Sequence, residues 1–91
     1  MYIYKAAVVG GGAMGSGIAQ VISYSGLPVV LREVNEELAQ KALANIRKVY
    51  QGRVDKGKMS ASEMESKMGL VTVTTDLQSL KDVDIAIEAV S

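Results

Sequence analysis

The chain contains no cysteine and no histidine among its 91 residues. Without cysteine, disulfides, thiolate catalysis and cysteine-based metal sites are excluded. Without histidine, the commonest general base and the commonest metal ligand are gone. No residue is therefore assigned to catalysis or to a metal. An excess of charge is lacking too, since ten Lys and Arg balance ten Asp and Glu. Nothing in that balance favours nucleic acid as a partner. No stretch approaches the ~20 apolar residues of a membrane helix, and Met1-Tyr2-Ile3-Tyr4-Lys5 lacks the apolar run of a signal peptide. Neither nucleic acid nor membrane is an expected partner, and the expected location is the cytoplasm.

What is present fits one small globular domain. Nearly half the residues are hydrophobic, and nine are glycine, a composition suited to an α/β protein rather than a disordered one. Ile3 to Val9 is apolar apart from Lys5 and reads as a buried strand. Gly10-Gly11-Gly12 breaks it. Met14, Ile18, Val21 and Ile22 then recur at helical spacing up to Ser25, with Gly26 as the stop signal. Val29-Val30-Leu31 is a second buried strand, ending at Arg32-Glu33.

Asn35 is a good N-cap, and Glu36 and Glu37 suit the positive end of a helix. That helix carries Leu38, Ala42, Leu43, Ile46, Val49 and Tyr50 on one side and should run to Tyr50 or a little beyond. Ser60-Ala61-Ser62-Glu63 reads as a capping box, with Met59 and Met64 placed as a hydrophobic staple. The short helix it opens should stop at Gly69. Leu70 to Thr75 is a third strand. Asp76 caps one turn, Leu77 to Leu80, and Asp84 to Val90 is the last strand. Strands separated by helices need crossovers, so the sheet should be largely parallel. Right-handed crossovers then predict the first half of a Rossmann-type doubly wound fold, strand order 3-2-1-4.

One motif carries chemistry. Gly10, Gly12 and Gly15 form G-x-G-x-x-G, directly after a strand and opening a helix. Glu33 ends the next strand, 18 residues past Gly15, where a dinucleotide fingerprint places an acid about 20 residues on. In such a loop the first glycine makes the tight turn and the second lets the backbone approach a pyrophosphate. The third allows close packing of helix on sheet. Free N–H groups near Ala13 and Met14 would hold phosphate charge. Met14's side chain itself is expected in the helix core. Glu33 would accept hydrogen bonds from the adenosine ribose, favouring NAD over NADP, although Arg32 beside it could accommodate a 2′-phosphate. Arg53, Lys56 and Lys58 read either as a solvated helix end or as a docking surface for a phosphorylated substrate. Glu88, inside an apolar strand, could face the cofactor crevice. The tyrosines at 2, 4, 24 and 50 read as packing residues.

Ala7-Val8-Val9-Gly10-Gly11-Gly12-Ala13-Met14-Gly15-Ser16-Gly17-Ile18-Ala19-Gln20 closely resembles the start of the 3-hydroxyacyl-CoA dehydrogenase family. Asp84-Ile85-Ala86-Ile87-Glu88-Ala89-Val90 resembles a second family strand, and Asn35 to Gly69 looks like the family's helical hairpin insertion. The resemblance implies oxidation of the 3-hydroxyl of a hydroxyacyl-CoA with hydride passing to NAD, in fatty-acid β-oxidation. It implies that Gly10, Gly11, Gly12, Ala13, Met14 and Gly15 bind the pyrophosphate. Glu33 would stand for the family's usual Asp at the ribose, and Ala89 and Val90 would line the cofactor crevice. Lys56 would fall near a family lysine that contacts CoA. The family's catalytic His, its Glu partner and its helical domain have no counterpart in these residues. Residues 1–91 are therefore expected to be the amino-terminal part of an NAD-binding domain, inactive alone, whose parent is a homodimer. Open alternatives are a stand-alone, non-catalytic dinucleotide-binding module and another β-hydroxyacid-type dehydrogenase. A sheet cut after the last strand would leave an apolar edge prone to weak self-association.

Overall fold

The computed structural model describes residues 4–10 and 12–89. The described residues form four strands and three helices in the order β1 (Ala6–Val9), α1 (Gly12–Tyr24), β2 (Val29–Arg32), α2 (Glu36–Asp55), α3 (Ala61–Met68), β3 (Val71–Thr74) and β4 (Ile85–Glu88). A 3₁₀ turn, Leu77–Leu80, joins β3 to β4. The strands form one parallel sheet in the order β3-β2-β1-β4, as the crossover argument predicts. The registers align Val8 with Leu31 and Ile87, and Leu31 with Val73.

Alternation along the strands splits the side chains between two faces. Val8, Val29 and Leu31 join Ala19 of α1 and Ala42, Ile46 and Tyr50 of α2 in the main core. Ala7 and Val30, of opposite parity, are buried as well but outside that cluster. Tyr50 is fully buried, and its hydroxyl ties α2 to α1. It lies 2.5 Å from Ser23 Oγ and 3.2 Å from the Gln20 carbonyl, to which it donates.

The predicted capping box is present. Ser60 Oγ accepts from Glu63 N–H at 3.0 Å, and the Glu63 carboxylate accepts from Ser60 N–H. Met59, Met64 and Met68 are buried in the same core, so the hairpin closes on the sheet-and-helix layer rather than hanging free. Arg47 and Glu65 bridge α2 to α3 at 3.0 Å across its exposed side.

Several local expectations are corrected. β1 starts at Ala6 because the Tyr4 and Lys5 N–H groups donate to the Asp84 carboxylate, at 2.7 and 2.9 Å, instead of entering a ladder. Asp84 is thus a clamp at the foot of β1, and β4 begins one residue later. Ile3 and Val90 lie outside the described residues. α2 runs past Gly52 to Asp55, held by the packing of Tyr50 and Val54 against the core. Met14, Val21 and Val49 obey helical spacing but are about half exposed or more, so they face away from the sheet. Tyr24 is also half exposed, with the Arg53 guanidinium 4.7 Å and the Lys67 ammonium 5.7 Å from its ring centre. Among the described residues, β4 is a sheet edge paired only with β1.

Candidate functional site

The site begins where β1 ends. Gly10 adopts φ +68°, a left-handed conformation that costs a glycine nothing. Its N–H donates to the Arg32 carbonyl at 2.8 Å, which pins the loop beside the end of β2. α1 then starts at Gly12, so its first N–H groups have no intrahelical acceptor. No acidic side chain stands in that first turn to neutralise the positive end of the helix.

Gly15 is required by contact. A Cβ there would collide with the Gly10 carbonyl oxygen, with Leu31 Cδ1 3.5 Å away. The third glycine therefore lets the helix lie flat on the loop and the sheet, as the motif's logic demands. At Gly12 the opposite holds. A Cβ would meet nothing within 4 Å, so it would project into open space beside the loop.

Gly12 also lines a cleft of about 140 Å³ between α1, the end of β2 and the first turns of α2. Gly12, Ala13 and Ser16 form its α1 wall, and Glu33 forms its floor. Ser16 donates its hydroxyl to the Gly12 carbonyl at 3.0 Å, which stiffens the first turn. Glu33 is 3 % exposed. Its N–H is satisfied by the Thr74 carbonyl at 2.9 Å, but its carboxylate has no hydrogen bond or ion pair among the described residues. Gln20 Nε2, and not a Glu33 oxygen, is the buried polar atom left without a partner among the described residues, so the Glu33 carboxylate keeps access to the open cleft. Set there, it is suited to accept hydrogen bonds from a polar ligand.

Gly12, Ala13 and Glu33 thus line one cleft, and Gly10 and Gly15 shape the loop behind them. Ala89 is buried beside this loop; its N–H donates to the Val9 carbonyl at 3.1 Å. Gly11 and Val90 lie outside the described residues. Met14 turns its side chain to solvent, so only its backbone remains a candidate. Glu88 pairs in register with Val9, on the strand face opposite Val8 and Leu31, and does not line the cleft. Arg32 is turned away as well. Its Nε donates to the Thr75 carbonyl at 3.2 Å, and it is absent from the cleft wall.

Sequence reasoning missed the α2 wall, made of Leu38, Lys41, Ala42 and Asn45. Their i, i+4, i+7 spacing was visible. What ties them to Glu33 is the way α2 leaves β2 and folds back along α1, a tertiary fact. Lys56 belongs elsewhere, at the far end of α2. From Lys41 it is about 22 Å away along the helix at 1.5 Å per residue. There Lys48, Arg53, Lys56 and Lys58 surround a second groove of about 380 Å³.

A glycine loop at the carboxyl ends of parallel strands, next to a buried acid on the following strand, defines the adenosine half of a dinucleotide-binding fold. Residues 5–91 match the model of the 3-hydroxyacyl-CoA dehydrogenase NAD-binding domain, and the chain belongs to that family. It is 44% identical over 88 residues to the peroxisomal fatty acid beta-oxidation multifunctional protein MFP2 of Arabidopsis thaliana, covering 97% of this chain and 12% of that one. Among solved structures, FadB2 of M. tuberculosis is 40% identical with a TM-score of 0.94, over 100% of this chain and 32% of the other. The (S)-3-hydroxybutyryl-CoA dehydrogenase PaaH1 of Ralstonia eutropha is 31% identical with a TM-score of 0.94, over 99% and 32%. The chain thus spans about an eighth of the multifunctional relative and a third of these two structures.

Proposed function

We propose that residues 1–91 are the amino-terminal part of an NAD-binding domain. In the whole protein, that domain serves oxidation of a 3-hydroxyacyl-CoA to the 3-keto compound. Family membership supports the reaction class, and three observations support the cofactor's fit. The first N–H groups of α1 have no intrahelical acceptor, Gly12 lines the cleft, and the Glu33 carboxylate faces that cleft with no donor among the described residues. The last carries the reading. When bound, NAD supplies the nicotinamide ring that accepts the hydride.

In this reading the α1 N–H groups at Ala13 and Met14 hold the pyrophosphate, with Gly11 contributing to the same loop. Glu33 orients the adenosine ribose through its hydroxyls. Ala89 borders the crevice where β4 ends. None of these residues moves a proton or bonds to the reacting carbon. Their work is to bind and orient, so the chain alone is inactive and the base comes from outside it. Lys56, with Lys48, Arg53 and Lys58, offers a basic groove for the phosphates of the acyl-CoA. A homodimeric parent and a cytoplasmic location belong to the same proposal. Relatives such as the Arabidopsis protein are named for peroxisomes, so cell fractionation is the test of location. No helix among the described residues is long and apolar enough to cross a membrane.

The test is Glu33→Gln. Loss of charge-assisted hydrogen bonds to the ribose should weaken NAD roughly tenfold or more. Folding stability should change little, because the carboxylate makes no hydrogen bond or ion pair among the described residues. Unchanged NAD affinity would refute the ribose role.

A further inference from the structure

The cleft contains one cation, and it is neither the arginine next to Glu33 nor any residue of the glycine motif. Among the described residues on its wall, Lys41 alone carries positive charge. It stands on α2, one helical turn before Asn45, and shares the cleft with Glu33. It forms no hydrogen bond or ion pair among the described residues. Glu37, four residues before it on α2, forms no ion pair with it. Arg32 is committed to the Thr75 carbonyl on the other side of β2.

The acid at this position of a dinucleotide fold sits at the ribose 2′-hydroxyl. A 2′-phosphate would therefore enter the space that Glu33 and Lys41 share. Glu33 repels it, whereas Lys41 supplies an ammonium with three free donors. We propose that Lys41 is a second specificity-determining residue of this cleft: it is a latent receptor for a 2′-phosphate, and Glu33 alone keeps that receptor closed. Discrimination between NAD and NADP then depends on a carboxylate set against a single ammonium. This inference rests on the adenosine-site reading above.

The test uses two mononucleotide probes, 5′-ADP and adenosine 2′,5′-bisphosphate, titrated by calorimetry into the unsubstituted protein and into Glu33→Gln, Lys41→Gln, Lys41→Arg and paired variants. The unsubstituted protein should bind 5′-ADP in preference. Glu33→Gln should raise affinity for the bisphosphate roughly tenfold, with a steeper dependence on salt. Adding Lys41→Gln should abolish that gain, whereas adding Lys41→Arg should keep it. Circular dichroism melts establish that each variant is folded. A gain that survives Lys41→Gln, or no gain in Glu33→Gln, overturns the proposal while leaving the adenosine site standing. Failure of the unsubstituted protein to bind 5′-ADP overturns both.

Discussion

The Gly10 carbonyl oxygen occupies the position that a Cβ on residue 15 would need. The two glycines lie on either side of the strand-to-helix turn, and each makes the other necessary. Gly10 turns the chain with a positive φ, which aims its carbonyl at α1. Gly15 then receives that carbonyl without a clash. Because the partner is backbone and not a flexible side chain, Gly15→Ala cannot be relieved by a rotamer change. It should destabilise the fold by about 1–3 kcal/mol, the usual range for overpacking. Nucleotide affinity should fall with it as α1 lifts off the loop. Urea unfolding and NAD titration of the same variant measure both effects.

A second joint lies far from the cleft. Tyr50→Phe removes the hydroxyl that meets Ser23 and Gln20. Ser23 keeps its own bond to the Gln20 carbonyl at 2.8 Å, so the loss should stay near 1–2 kcal/mol. NAD affinity should be unchanged. A large change in affinity would mean that the α1–α2 joint controls the cleft, contrary to this account.

The hairpin offers a third test. Ser60→Ala removes the acceptor for Glu63 N–H at the start of α3. Loss of such a cap costs about 1 kcal/mol. A lower melting temperature with an unaltered nucleotide titration is the expected result.

The edge of the sheet supplies the fourth. Among the described residues β4 has no outer neighbour, and Ile85 is 42% exposed on it. Open apolar edges invite pairing with another chain. Light scattering should show weak association that grows with concentration, and Ile85→Lys should reduce it. A strictly monomeric chain at high concentration would contradict the expectation.

Much of this architecture was legible because local and global signals agree. The glycine turn, the Asn35 cap, the Ser60–Glu63 box and the Asp76 cap each mark an element boundary in the residues themselves. Parallel order followed from alternation of strands and helices. The misreadings share another cause. Met14, Val21 and Val49 have the spacing of buried residues, but spacing alone does not say which side of a helix the sheet lies on. Asp84 looked like part of a strand because its grip on the Tyr4 and Lys5 amides spans some 80 positions in sequence. Lys41 and Ser16 entered the cleft unannounced for the same reason. Their roles arise from how α2 folds back along α1, which no short motif encodes.

The central claim is that the cleft between Gly12, Glu33 and α2 receives the adenosine end of NAD. The most direct measurement follows backbone amide shifts by NMR while the chain is titrated with NAD and, separately, with NADP. The account predicts saturable shifts at Gly10, at residues 12 to 15, at Glu33 and at Lys41, at lower concentrations for NAD than for NADP. A folded chain whose shifts are absent there, or confined to the basic groove around Lys56, would contradict it.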